Sequence, residues 1–452
     1  MPGLYHSIFH CPAIDELFTA EAQVRAMLAF EQALAQAQVA AGVVPAPAAA
    51  VITAVCSEDG WAVESLAEKT LLAGNPAIPL VNALRQRVAL RDAVAANYVH
   101  LGATSQDVLD TALLLQLRSA GHYLQQEITT LQTTLATLSF RHRDTQMAGR
   151  TLLQQARPVT FGFKAASWLD ALLRAGQRLE QRLADALVVQ LGGAVGTVAT
   201  LGIAGPAVTA SLASELSLAV PTMPWHGQRD RLADFAAALG LLTGGLGKMG
   251  HDLVLLMQTE VGEVAEGAAP GKGGSSTMPH KRNPVSATFL VAIAGRTPAL
   301  VTTLLAALAQ HEHERAAGAW HLEWEVLPNL LRLTGAALRH ARELIEGLEV
   351  NPERMLQNIH LTQGLLFAED ATAALAPHLG KAAAQQLVEK ASKVALQTKQ
   401  PLQQVLQAHP EAGPLLSAAA WAELFDPARA TGLSQHFTDA VLDRFHATLP
   451  AA

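Results

Sequence analysis

The sequence predicts an all-α protein. Alanine, leucine and glutamine dominate while aromatics reach only 5%, a bias toward good helix formers and away from strand formers. Apolar residues recur at spacings of three and four over long runs, and period-two alternation is almost absent.

The clearest run starts at TSQDVLDTALLL. Leu109, Leu113, Leu117, Ala120, Leu124, Ile128, Leu131, Leu135 and Leu138 fall on one stripe of a helix roughly 45 Å long at about 1.5 Å per residue. Thr104 or Ser105 can cap its start, with Asp107 favourable in the first turn. Similar patterns run from about Thr160 to Leu191, Arg229 to Glu266, Val285 to Gln310 and Leu327 to Leu348. Helices of this length belong to bundles, so residues 104–350 read as a central bundle of five long helices. Ahead of it, residues 1–103 carry shorter helical runs broken by Pro45, Pro47, Pro76 and Pro79 and read as an N-terminal helical domain. Behind it, EVNPERM breaks the pattern, and residues 351–452 read as a C-terminal domain of short amphipathic helices. Gly245, Gly247 and Gly250 match G-x-G-x-x-G, but inside a helical run they serve close helix packing rather than dinucleotide binding.

At 452 residues and 50% hydrophobic, the chain can bury a large core and is not disordered. A formal charge of −7 and the lack of a basic stripe interleaved with aromatics argue against a nucleic-acid partner. Two cysteines, Cys11 and Cys56, are too few for a disulfide framework and suit a reducing compartment. The first residues lack the layout of a signal peptide, and no apolar run reaches the ~18 residues of a membrane span. A cytoplasmic protein with no membrane partner is expected.

Three polar islands interrupt the apolar chain: HLGATSQD (His100–Asp107), GRTLLQQARP (Gly149–Pro158) and GKGGSSTMPHKRNP (Gly271–Pro284). Each is expected at the end of a long helix. A helix N-terminus with free N–H groups and hydroxyl donors is a ready anion site, so three such ends can serve one carboxylate-rich ligand.

GSSTMPHKRNP resembles the signature of the fumarase/aspartase superfamily, S-S-x-M-P-x-K-x-N on a mobile loop. The other two islands are similar to that superfamily's further shared regions, in the same order. The resemblance implies three helical domains, a homotetramer with a twenty-helix core, and active sites each built from three subunits. It also implies proton transfer at the carbon next to a carboxylate, with a group lost from or added to the adjacent carbon through an aci-carboxylate intermediate. By matching position to position, Ser275 is the proton-transfer residue and Ser276 its neighbouring donor, while Lys281 and Asn283 stabilise the carboxylate. Thr104, Ser105 and Gln106 bind a substrate carboxylate, Thr151 and Gln154 line the pocket, and His100 joins them. Arg315 is a further anion contact, with Arg150, Arg229 and Arg231 as weaker candidates.

The chain departs from many relatives where they read T-H in the second region, since here Thr151 is followed by Leu152. The adenylosuccinate lyases share H-x-G-x-T-S-x-D, yet their first-domain histidine has no counterpart in GNPAIPLVNALR, and Trp324 stands where they place an arginine. A leaving group of low pKa needs no general acid, and a carboxylate, with pKa near ~4, is such a group. PWHGQRD, GGSSTMPHKRNP and GAWHLEW resemble most the members that close a diene tricarboxylate onto itself as a lactone, which points the same way and implies Trp320, His321 and Trp324 shaping the pocket. The alternatives are a fumarate-releasing amino-lyase and a non-catalytic crystallin-like protein on the same scaffold. HEHERAAGAWH holds three histidines, His311, His313 and His321, without zinc-site spacing, so neither metal nor cofactor is expected.

Overall fold

A computed structural model describes residues 3–269, 271–274, 278 and 281–449. The architecture is all-α. The five long helices run Ser105–Arg141, Phe161–Ala186, Asp230–Leu256, Val285–Ala309 and Ala319–Glu346. The last begins eight residues ahead of the expected Leu327, because Pro328 lies inside the helix rather than at its start. The third ends at Leu256, where the backbone turns and Glu263 N donates to the Leu256 carbonyl at 3.0 Å.

The chain folds into two compact units, residues 1–128, 175–246 and 292–339 in one, and 129–174, 247–291 and 340–452 in the other. Each long helix starts in one unit and ends in the other. In the first unit, Ala20–Ala40 is capped by Thr19, whose hydroxyl accepts from Ala22 N at 3.2 Å. Its apolar stripe, including Met27, Phe30 and Leu34, packs with Ile52, Leu80, Leu84, Val208 and Leu212 in a single core. Cys56 lies in that core, Cys11 is buried outside it beside Tyr123 and Gly335, and both are free thiols.

The second unit contains the antiparallel helices Ala368–Leu379 and Lys381–Thr398 around Leu375, Leu387, Leu402 and Trp421. Asn351 caps Pro352–His360, accepting from Arg354 N, which is why EVNPERM restarts the helical pattern.

Two short strand pairs were not anticipated. Gln146–Thr151 and Gln154–Thr160 form an antiparallel hairpin, and Val264–Ala265 pairs with Glu349–Val350. The second polar island therefore lies on a hairpin ahead of a helix rather than at a helix end. Gly245, Gly247 and Gly250 are inside Asp230–Leu256, and a Cβ at Gly250 would come within 2.9 Å of both the Ala287 carbonyl and Leu290 Cβ. Close helix approach explains that glycine.

The expectation about apolar runs needs one correction. Val285–Ala309 is long and apolar enough to cross a bilayer by length and composition, and only 22% of its apolar window is buried within the chain. It carries few charges because it presents apolar residues both inward and outward.

Candidate active site

The first island begins the Ser105–Arg141 helix. Its capping differs from the expected hydroxyl cap: Thr104 N donates to Asp107 Oδ2 at 2.9 Å, so the carboxylate three residues on closes the turn. The hydroxyls of Thr104 and Ser105 are thereby left for another partner.

That partner is Arg315. Its NH1 donates to Thr104 Oγ1 at 2.9 Å, NH2 to Ser105 Oγ at 3.2 Å, and Nε to Gln106 Oε1 at 3.3 Å. A hydroxyl that accepts from a guanidinium keeps its own hydrogen to donate. Two O–H donors, a guanidinium and the positive end of a 37-residue helix thus share one spot, a combination suited to a carboxylate.

Gln106 itself is fully buried. Its amide N–H groups donate to the His226 carbonyl at 3.0 Å and to Asp110 Oδ2 at 3.3 Å, which turns Oε1 toward Arg315. Gln106 therefore holds Arg315 in place, and its amide has no exposed edge to offer a ligand directly.

Asp110 lies one turn behind. Arg229 donates to both its oxygens at 2.7 and 2.9 Å, Trp320 Nε1 at 2.9 Å and Gln190 Nε2 at 3.3 Å. Arg229 also reaches Glu323 through Nε at 2.9 Å and NH2 at 2.5 Å. Burial pushes the Asp110 carboxyl up, but the Arg229 guanidinium outweighs it and holds it below the usual range. Burial raises Glu323, and the neighbouring Asp110 charge adds to that rise against the pull of Arg229. Arg229, a candidate anion contact by sequence, is 1% exposed and wholly engaged by these two carboxylates.

Asp107 accepts four N–H groups: Thr104 N, Gly192 N at 2.8 Å, Gly193 N at 3.0 Å and His226 Nε2 at 2.7 Å. His100, with φ 62°, turns its Nδ1 to Glu31 Oε1 at 2.6 Å. Burial lowers the imidazole pKa, but the charge of Glu31 overrides it and the net shift is upward.

The second unit carries the other two islands. Thr151 and Gln154 are register partners flanking a two-residue turn, and both are exposed. The turn residues Leu152 and Leu153 have φ 49° and 65° and are 96% and 73% exposed. Left-handed conformations at both positions are the type I′ requirement that Asn-Gly normally meets. Arg150 is held at 2.9 and 2.6 Å by the buried Glu263, which also accepts from Asn358 at 2.8 Å. This removes Arg150 as a free anion contact.

On the third island Gly273 has φ 68°, and a Cβ there would lie 2.8 Å from the Asn283 carbonyl. Asn283 N donates back to Gly273 O at 2.9 Å, and Gly274 bridges Arg282. Glycine at 273 lets the two limbs of the loop approach. Lys272 pairs at 3.3 Å with the buried Glu266, which accepts from Ser286 N and Ala287 N at the head of Val285–Ala309. Lys281 is exposed and Asn283 half-buried. Ser275 and Ser276 lie outside the described residues.

A family model described as "Lyase" matches residues 9–298, and one for the adenylosuccinate lyase C-terminus matches residues 364–441. The chain is 49% identical to a 3-carboxy-cis,cis-muconate cycloisomerase of Pseudomonas aeruginosa, covering 98% of this chain and 96% of that one. The chain belongs to the fumarase/aspartase superfamily. Within this superfamily it is also similar to a nitrosuccinate lyase of Streptomyces davaonensis, 42% identical over 97% of this chain and 94% of that one. The crystal structure of a 3-carboxy-cis,cis-muconate lactonizing enzyme from Pseudomonas putida superposes with TM-score 0.93 at 44% identity, covering 98% of this chain and 99% of that one.

Several residues of this superfamily member escaped the sequence reading. Asp110, His226 and Glu323 surround the first island without belonging to it. The spacing of Asp107 and Asp110, three apart on one helical face, was the available signal. Trp320, His321 and Trp324 do cluster, with ring centroids 4.4 to 5.7 Å apart. Trp324 walls a cavity of about 350 Å³ together with Phe18, Leu80, Leu113, Asp110 and Pro328. No lysine, arginine or histidine lines that cavity, so a tricarboxylate would be repelled from it.

Proposed function

We propose that the chain is a 3-carboxy-cis,cis-muconate cycloisomerase, an intramolecular lyase that forms 4-carboxymuconolactone in the β-ketoadipate route of protocatechuate catabolism. The observation that carries the reading beyond overall likeness is Arg315 set against Thr104 and Ser105 at the helix N-terminus, a cradle for one substrate carboxylate. In the lactonising direction a second carboxylate oxygen adds across a double bond. The electron pair displaced moves into the adjoining carboxylate, giving an aci-carboxylate dianion, and a proton then goes to the neighbouring carbon.

In this reading Ser275 delivers that proton, Ser276 supports it, and Lys281 and Asn283 stabilise the dianion. The attacking and, in reverse, departing group is a carboxylate, which leaves as a stable anion. Leu152, where many relatives carry histidine, fits a reaction that asks for no general acid there. Thr151 and Gln154 line the pocket, Gln106 positions Arg315, and His100 supports the first island. The substrate is a small tricarboxylate, with no cofactor in the chemistry.

The unit of function is a cytoplasmic homotetramer in which three subunits contribute to each site. The sparsely buried, apolar Val285–Ala309 helix supports this reading, since such a surface is stable in water only when covered. The three-part division 1–103, 104–350 and 351–452 remains the corresponding domain proposal.

Purified protein mixed with 3-carboxymuconate should bleach the conjugated-diene absorbance, and Ser275→Ala should nearly abolish that bleaching. An untouched diene with fumarate released from adenylosuccinate would select the amino-lyase reading instead. Turnover of neither, in folded protein, would favour a crystallin-like role.

A further inference from the structure

Near the start of the first unit, three side chains with metal-ligating atoms face one another. We propose that His6, His10 and Asp15 form a site for a divalent transition-metal ion of the zinc class, separate from the carboxylate chemistry. His6 and His10 stand four apart, at the start and just past the end of the helical turn His6–Phe9. That spacing puts two imidazoles on one side of a helix, as in known zinc-binding helices. Their rings stack with centroids 3.8 Å apart and planes 27° from parallel.

Asp15 completes the pattern H-x3-H-x4-D. His6 Nε2 is 3.4 Å from Asp15 Oδ2, and His10 Nδ1 is 3.1 Å from Oδ1. One ligand atom from each residue lies within 4.8 Å of the others. With zinc–ligand bonds of about 2.0–2.1 Å, tetrahedral neighbours stand about 3.3 Å apart, so these groups need only a modest contraction to share an ion.

The carboxylate supplies the decisive detail. Arg332 Nε donates to Oδ1 at 2.8 Å, while Oδ2 is buried, makes no hydrogen bond and has only the His6 imidazole beside it at 3.4 Å. A carboxylate oxygen buried without a donor is unfavourable, and a cation shared with the two imidazoles would satisfy it. Arg332 then acts as the outer partner that orients the ligand. Arg339 donates to the Ser7 carbonyl at 2.6 Å and Arg296 stacks over Phe9 at 5.1 Å. The coordination position not filled by the three side chains would take water or a small anion. Two imidazoles select zinc, nickel or cobalt over magnesium or calcium. The bound ion would staple His6–Phe9 to Pro12–Leu17.

Cobalt(II) titrated into chelator-stripped protein should develop the visible absorption of a histidine-ligated centre, saturating at one ion per chain and displaced by zinc. His6→Ala and His10→Ala should each abolish that spectrum, with circular dichroism confirming that the helices persist. Zinc should also raise the melting temperature of the wild-type protein by mass action. A wild-type protein that develops no such spectrum overturns the proposal and leaves a plain histidine–aspartate ion pair. So does a spectrum that survives both replacements, because the ion would then sit among the other histidines.

Discussion

Arg229 and Asp110 meet through two parallel hydrogen bonds of 2.7 and 2.9 Å, with both side chains 1% exposed. Removing one partner of a buried pair leaves the other uncompensated, at a cost of about 3–5 kcal/mol. Asp110→Asn leaves Arg229 with Glu323 as its remaining carboxylate, so stability should fall in urea unfolding by less than that amount, about 1–3 kcal/mol. The substitution should also reduce kcat/KM, since Asp110 sets the orientation of Gln106 and so of Arg315. Loss of activity without loss of stability would show that the pair is not structural.

Glu323 and Asp110 should leave opposite signatures in the pH dependence of stability. Asp110 is held below the ordinary aspartate range, so its contribution is present above that range and lost as pH falls through the lowered folded value. Glu323 is raised, so the folded state binds its proton more tightly than the unfolded state does. Stability from that source falls as pH rises from the ordinary glutamate range through the raised value. Glu323→Gln should remove this slope, and the difference from wild type should shift in favour of the variant as pH rises across the window. Unfolding midpoints measured against pH would expose the sign.

Arg315 is the residue whose replacement should separate function from folding. Its loop is only half-buried and its contacts are three side-chain oxygens. Arg315→Leu should leave the melting temperature nearly unchanged while reducing kcat/KM by roughly 10²–10³, the scale of losing one preorganised charged donor. Arg315→Lys should rescue little, because a point ammonium lacks the planar fork that spans Thr104, Ser105 and Gln106. Full rescue by lysine would mean that charge alone matters.

These residues also mark how far the sequence was readable. Helix periodicity located Ser105–Arg141 to within a residue or two of its first turn, because most buried positions from Val108 to Leu138 are apolar, with Asp110, Thr111, Gln116 and Gln132 as the polar exceptions. The Gln146–Thr160 hairpin was hidden, since Leu152 and Leu153 are the wrong chemistry for a type I′ turn and gave no turn signal. Asp110 and Glu323 were not singled out by the sequence, and Arg229 stood there only as a candidate anion contact. Pairwise burial of charge leaves no trace in a linear sequence unless the partners share a helical face, and Arg229 is 119 residues from Asp110. Thr104 and Ser105 were legible as helix-end residues, but not that Asp107 would take the cap and release them to Arg315.

The same hairpin offers a trade between stability and function. Each leucine in a left-handed conformation costs about 1–2 kcal/mol, and neither is buried in the chain to offset it. Replacing Leu152-Leu153 with Asn-Gly should therefore stabilise the isolated chain by about 1–3 kcal/mol. If the turn presents Thr151 and Gln154 to substrate, as proposed, the same variant should lose activity through the removal of the apolar tip. A variant both more stable and fully active would show that the leucines have no part in the site.

His100 provides a test on the other side of neutrality. Its pairing with Glu31 at 2.6 Å raises its pKa despite burial. The stabilisation is fully present below the ordinary histidine value and is lost as pH rises through the raised folded value. His100→Gln should remove this dependence, so the stability gap between wild type and variant should be widest in mild acid and narrow toward alkaline pH. His100 also has a left-handed φ of 62°, so His100→Gly should relieve backbone strain while losing the ion pair. Comparing the two variants at alkaline pH, where the ion pair contributes least, isolates the strain: the glycine variant should be the more stable there. A pH-independent gap for His100→Gln would mean that Glu31 is held by its surroundings rather than by the imidazolium.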